Sequence, residues 1–219
     1  VLSRKTSLKL YLAYNYPSFY KPNFREGEVL KWKGSKFEVP KVFGYTLEIA
    51  SILTGSYSIP ECHVKSGDIV FDIGAHFGFF SYYAMKNGAK EVYAFEPNPW
   101  VFEVLTKHAQ LWSDKIKPYQ LALSSRNGEI DLFISSELGG TSTILEKRDD
   151  TVLEIHEYKK KVKVQTITLD DFVKQNNVER VNFIKIDTEG AEKEIIKGAR
   201  ETIKKFKPRM AIAAYHLPD

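Results

Sequence analysis

Between Asp68 and Gln120, short continuous apolar runs alternate with segments of helical spacing. Ile69-Val70-Phe71 runs into Asp72-Ile73-Gly74, as a strand buried on both faces would. Positions 79–86 predict a helix, stopped at Asn87-Gly88. A second strand spans 91–95 and ends at Glu96-Pro97. Pro99 then opens a helix reaching about Leu111, at the first turn where proline is tolerated. A third strand covers 116–120. Strand, helix, strand, helix, strand at these lengths implies a parallel sheet with right-handed crossovers.

The pattern continues to the C-terminus with one irregular stretch. Positions 129–134 predict a strand, 135–143 a loop around Gly139-Gly140, and 161–168 a strand with one wet face. A short helix over 169–175 precedes a buried strand over 181–186. That strand leads into Asp187-Thr188-Glu189-Gly190 and a single helix reaching about Lys204, and the last strand covers 209–215. Before Pro60 the signals differ. A helix start within 1–20 is broken by Pro17 and Pro22, 29–39 alternates about Gly34-Ser35 as a hairpin, and 45–53 has helical spacing. The chain therefore divides into a helical and hairpin cap (1–60) and an α/β domain (61–219), a mostly parallel Rossmann-like sheet with helices on both faces.

Composition narrows the class. The chain has 219 residues, 43% of them hydrophobic, enough for one good core. The net charge of +4 comes from 32 basic and 28 acidic residues mixed along the chain, so the short lysine clusters read as solvated surface and nucleic acid is not an expected partner. No apolar run reaches the roughly 20 residues of a membrane span. A single cysteine, Cys62, excludes an intrachain disulfide and fits a reducing compartment, and a cytoplasmic location is expected. No metal-ligand spacing surrounds it.

The chemistry concentrates at the strand ends. Asp72-Ile73-Gly74-Ala75-His76-Phe77-Gly78 is a glycine-containing strand-to-helix turn of the kind a ligand approaches through its backbone. A dinucleotide fingerprint needs glycine where His76 stands, to leave room for a pyrophosphate. The spacing suits a nucleoside without phosphates, such as S-adenosylmethionine. Asp72 would meet its amino group, and backbone N–H groups at the helix start its carboxylate. Glu96, 24 positions after Asp72, would accept the ribose hydroxyls, with Pro97 and Asn98 beside it. Gln120, Leu121 and Ala122 fall where the adenine edge would sit.

Taken together, Val70-Phe71-Asp72-Ile73-Gly74-Ala75, Ala94-Phe95-Glu96-Pro97, Gly139-Gly140-Thr141-Ser142, Thr168-Leu169-Asp170-Asp171-Phe172 and Ile184-Lys185-Ile186-Asp187-Thr188-Glu189-Gly190-Ala191-Glu192 resemble the FkbM-type methyltransferases. The resemblance runs from about Asp68 to the C-terminus. It implies a class I methyltransferase fold, S-adenosylmethionine as cofactor, and methyl transfer to a hydroxyl of a sugar or natural product. Two features depart from it. Ala213-Ala214 stand where the family often carries a glutamate before Tyr215-His216, and the fold normally ends in two further strands. Those edge strands are expected in a natural chain continuing past Asp219.

For such a reaction the candidate bases are Asp187 and His216, each at the carboxyl end of a central strand, where open α/β sheets bind ligands. Glu189 and Glu192 at the following helix start, with Thr141 and Ser142 in the glycine loop, are candidates for substrate contact. Three other functions use parts of the same pattern: an RNA methyltransferase, a nicotinamide-dependent oxidoreductase, and a non-catalytic nucleoside-binding module.

Overall fold

The computed structural model describes residues 29–32, 35–38, 57, 59–134, 142–143 and 160–214, with 29–32, 35–38 and 142–143 described by their backbone. The expected helices within 1–20 and 45–53, the loop over 135–141, and His216 lie outside the described residues. β1 (Val29–Trp32) and β2 (Ser35–Glu38) form the expected hairpin, with Trp32 opposite Ser35, so Ser35 belongs to the second strand and not to the turn.

The α/β part then follows in the predicted order. β3 (Ile69–Ile73) leads into α1 (Phe79–Lys86), and β4 (Glu91–Phe95) into α2 (Pro99–Trp112) and β5 (Ile116–Tyr119). Next come β6 (Ala122–Leu123), β7 (Gly128–Ile134), β8 (Ser142–Thr143) and β9 (Lys160–Ile167). The chain finishes with α3 (Leu169–Gln175), β10 (Phe183–Ile186), α4 (Glu192–Lys197), α5 (Arg200–Phe206) and β11 (Arg209–Ile212).

Five strands make one parallel sheet in the order β11-β10-β3-β4-β5. The chain moves outward from β3 in one direction and returns on its other side at β10. This reversal falls at the carboxyl ends of β3 and β10, the place where such sheets hold ligands. β11 stops at Ile212, short of the expected Tyr215, though Ala213 still donates its N–H to the Ile186 carbonyl at 2.9 Å. The two strands predicted around 130 and 165 do not join this sheet. They pair antiparallel with each other in a second sheet, β6-β9-β7-β8, whose wet face carries the Lys161–Asp131 and Lys163–Glu129 ion pairs.

Each face of the main sheet is covered. Val70, Val92, Ala94 and Phe183 pack under α1 and α2 through Phe79, Phe80 and Leu105. Phe71, Tyr93, Phe95, Ile184 and Ile186 pack under α3 and α4 through Leu169, Phe172 and Ile195. On that second face Phe71 stacks on Tyr93 at 4.9 Å, and Phe172 turns its edge to Phe95 at 4.7 Å and to Tyr119 at 4.8 Å. None of the described helices is long and apolar enough to cross a membrane.

The segment after β10 is two helices, where the sequence pattern reads as one. Gly198 backs onto the Ser124 carbonyl, which a Cβ would meet at 2.1 Å. Its own carbonyl accepts the Asp170 N–H at 3.0 Å. The Thr202 N–H, which a continuous helix would direct to Gly198, goes instead to Asp170 Oδ1 at 2.7 Å, and the Glu201 N–H goes to Oδ2 at 3.1 Å. Ala199 precedes α5 and has no side chain that could cap it. Asp170 supplies the cap from α3.

The same packing explains the whole 168–172 motif. Thr168 caps α3 by accepting the Asp171 N–H at 3.0 Å, Leu169 and Phe172 are core, and Asp171 accepts from Asn127 at 2.7 Å. The motif joins α3 to α5 and to the turn before β7. Replacing Asp170 by alanine should therefore destabilise the chain by about 1–2 kcal/mol, as lost caps do, read as a lower urea midpoint at unchanged slope.

Candidate active site

The loop between β3 and α1 is pinned from every side. Gly74, His76 and Gly78 all take positive φ, 74°, 51° and 85°. The Gly74 and Ala75 N–H groups both donate to the Phe95 carbonyl, at 3.1 and 2.9 Å. The Phe77 carbonyl lies 2.7 Å from Nδ1 of the buried His108, which stacks on Trp112. The glycines have a different reason from the one the sequence suggests. A Cβ on Gly74 would sit 1.9 Å from the Asp187 carbonyl oxygen, and one on Gly78 would sit 2.7 Å from Leu105 Cδ1. Protein atoms fill the room they leave, and the N–H groups of Gly74, Ala75, His76 and Gly78 are bonded within the protein.

Beneath the loop lies a buried charge cluster. In the parallel register Lys185 of β10 stands beside Asp72 of β3. Its ammonium donates to the Gly74 carbonyl at 2.6 Å and lies 3.3 Å from Asp72 Oδ1. Asp72 Oδ2 accepts from the Ser81 hydroxyl at 2.7 Å, while Oδ1 has no well-oriented donor. Lys185 is a buried charge that the apolar-run reading of β10 passed over. A lysine inside Phe-Ile-Lys-Ile was the available signal, because a buried ammonium requires partners.

Glu96 and Asp187 flank this loop, because β4 and β10 are the two neighbours of β3. Glu96 is buried and held by two backbone donors, His76 N–H to Oε2 at 3.0 Å and Asn98 N–H to Oε1 at 2.9 Å. Burial pushes its carboxyl up to about 7, against the pull of the Asn98 and His76 N–H groups and of Lys185. His76 is pushed down to about 3, first by burial and then by the Lys185 charge, with Asp187 opposing both. Its imidazole is neutral at neutral pH. The side chain of Asn98 caps α2 by accepting the Trp100 N–H at 3.1 Å.

On the other flank, the Asp187 N–H donates to the Ile73 carbonyl at 3.0 Å, which sets the start of the turn. Its Oδ2 accepts a hydrogen bond from the Tyr57 hydroxyl. Glu189 takes a φ of 53° in this turn. Glu192 is buried and closes it, its Oε1 accepting the Thr188 N–H at 3.0 Å, the Thr188 hydroxyl at 3.2 Å and the Gly190 N–H at 3.3 Å.

The structure thus gathers Asp72, Gly74, Ala75, His76, Gly78, Glu96 and Asp187 at one sheet edge, together with Lys185 and Tyr57. Gln120 and Leu121 follow β5 at the same edge, whereas Ala122 is buried at the start of β6. Ser142 lies in β8, in the second sheet, and Thr141 and His216 lie outside the described residues.

Two outcomes follow from the charges. Replacing Lys185 by methionine leaves Asp72 buried without its cation. A loss of about 3–5 kcal/mol is expected, measured by denaturant unfolding, and Asp72→Asn in the same chain should restore part of it. Glu96 holds its proton in the folded state above its ordinary value of 4.5, so its contribution to stability is present below pH 4.5 and lost as pH rises through about 7. His76 works oppositely, its contribution being present above 6.5 and lost as pH falls toward about 3. Relative to wild type, Glu96→Gln should therefore gain about 3 kcal/mol between those two Glu96 limits, read from unfolding of ligand-free protein across that range.

Residues 72–219 match the methyltransferase FkbM domain. The hexuronic acid methyltransferase AglP of Haloferax volcanii is 28% identical over 134 residues, covering 61% of this chain and 51% of that protein. The 2-O-methyltransferase NoeI of Sinorhizobium fredii is 26% identical over 149 residues, covering 64% and 61%. The chain spans roughly half to three fifths of these relatives. Among solved structures, Methanocaldococcus jannaschii TYW2 in complex with AdoMet aligns with a TM-score of 0.33 at 22% identity, over 44% of each chain. With the loop after β3, the acidic end of β4 and the Asp187 turn all inside the matched span, this chain belongs to the FkbM family of methyltransferases.

Proposed function

We propose that this chain is an S-adenosylmethionine-dependent O-methyltransferase acting on a hydroxyl of a sugar or other small molecule. One observation carries the reading: Glu96 and Asp187 stand on opposite sides of the β3 loop, on the two strands that flank β3. A nucleoside laid along the loop would have its ribose on the Glu96 side and its reacting end toward Asp187. The names of the two relatives, one a hexuronic acid methyltransferase and the other a 2-O-methyltransferase, favour a sugar hydroxyl as acceptor.

The residues fit such a cofactor. α1 begins at Gly78 with no side-chain cap and no acid in its first turn, so its leading N–H groups suit the carboxylate of the amino-acid moiety. Each Glu96 oxygen accepts one N–H, and a carboxylate oxygen can accept more, which suits the ribose hydroxyls. Pro97 and Asn98 would border the ribose, and Gln120, Leu121 and Ala122 the adenine. Asp72 is fully buried, so it would act on the amino group through the loop that it and Lys185 support.

When bound, the cofactor supplies an electrophilic methyl group. The chain's own contribution is alignment, worth about 7–11 kcal/mol in favourable cases, and a base, worth about 10²–10⁴-fold. Asp187 is the base in this reading, accepting the acceptor hydroxyl's proton at its carboxylate. The neutral His76 ring lines the acceptor side. Glu189 and Glu192, with Thr141 and Ser142, would face or frame the acceptor, and His216 is the alternative base.

Calorimetric titration with S-adenosylhomocysteine, with NAD as control, tests the cofactor class. Micromolar binding of the first and none of the second is expected, and binding of NAD alone would overturn the reading. Glu96→Ala should weaken binding at least tenfold, the effect of one charge-assisted hydrogen bond, and Asp72→Ala should weaken it by releasing the loop that Asp72 and Lys185 support. Asp187→Ala should leave binding within about twofold and lower methyl transfer to a panel of hexuronic acids by about 10²-fold or more.

A further inference from the structure

Tyr57 lies fifteen residues before the matched span, yet its hydroxyl reaches the centre of the site. The segment that carries it is fastened to the far edge of the sheet. Ile59 and Cys62 bond each other's backbones at 3.1 and 3.0 Å. The Cys62 thiol donates to the Met210 carbonyl at 3.4 Å, and the Arg209 guanidinium donates to the His63 carbonyl and to Asp68 Oδ2, the latter at 2.6 Å. β11 thus anchors the segment, and the phenol crosses β10 to Asp187. Its ring is held on two further sides. Phe80 of α1 meets it edge-on at 5.5 Å and 80°, and the Lys185 ammonium lies 5.5 Å from the ring centroid.

We propose that Tyr57 is the positioning residue of Asp187. Its O–H donates to Oδ2 and fixes the rotamer of the carboxylate, so that Asp187 is aimed before an acceptor arrives. This rests on the reading of the cleft given above, but the contact itself can be tested without an acceptor. Hydrogen bonds donated to a carboxylate stabilise its charge and lower its pKa. Among the described residues, the other charged or titratable groups near Asp187 in the fold include Lys185 on its own strand, Asp72 and His76 on β3 and its loop, Glu96 at β4, and Glu189 and Glu192 on the following turn. Tyr57→Phe leaves all of these in place and keeps the ring against Phe80.

The test is a carboxyl-carbon NMR titration of ligand-free, aspartate-labelled protein, with the Asp187 signal identified by its loss in Asp187→Asn. In Tyr57→Phe the midpoint of Asp187 should rise by about one pH unit, the equivalent of one charge-assisted hydrogen bond. A midpoint unchanged from wild type overturns the proposal. Should Tyr57→Phe fail to fold, 3-fluorotyrosine at position 57 keeps the shape and strengthens the donor. It should move the midpoint down, and no movement overturns the proposal equally. Methyl transfer by Asp187→Asn separates the two ideas. Full turnover in that variant removes Asp187 as the base, while a shifted midpoint in Tyr57→Phe leaves Tyr57 as its positioning residue.

Discussion

The arrangement at the sheet edge depends on one buried ammonium. Lys185 sits where an interior strand position would ordinarily carry an apolar side chain, and it is tolerated because Asp72 and the Gly74 carbonyl lie within reach. That placement is a consequence of parallel register, which puts residue 185 beside residue 72. From there its charge acts outward. It depresses the basicity of His76 and draws Glu96 toward ionisation against the effect of burial.

Around that cation the loop after β3 behaves as a rigid fixture. Four independent groups hold it: the Phe95 carbonyl, the Lys185 ammonium, His108 and the Glu96 carboxylate. Each bonds backbone atoms, so the loop's side chains can differ while its backbone stays in place. A loop already in place loses little conformational freedom when a ligand enters, which is the physical basis of preorganised binding and catalysis.

The acidic residues of the site motifs divide into two kinds. Asp170, Asp171 and Glu192 spend their oxygens on N–H and O–H donors of nearby turns and helices. Glu96 and Asp187 also accept protein donors, Glu96 from the His76 and Asn98 N–H groups and Asp187 from the Tyr57 hydroxyl, but they stand at the ends of the two strands that flank β3. The difference is topological: capping acids sit at helix starts, and the others end the strands beside the point where the sheet order reverses.

Local pattern alone was enough for most elements. β3, α1, β4 and α3 lie where apolar runs, capping residues and turn pairs place them, because those signals are contained within a few consecutive residues. The strand-end acids Asp72, Glu96 and Asp187 were legible for the same reason. What the chain could not express locally is who becomes whose neighbour. The second sheet around β7 and β9, the break at Gly198, the filling of Gly74 by the Asp187 carbonyl, and the meetings of Tyr57 with Asp187 and of Lys185 with Asp72 all join residues distant in sequence. Those contacts exist only once strand order and register are set. Burial then decides which polar side chain must find a partner, and that decision belongs to the tertiary structure.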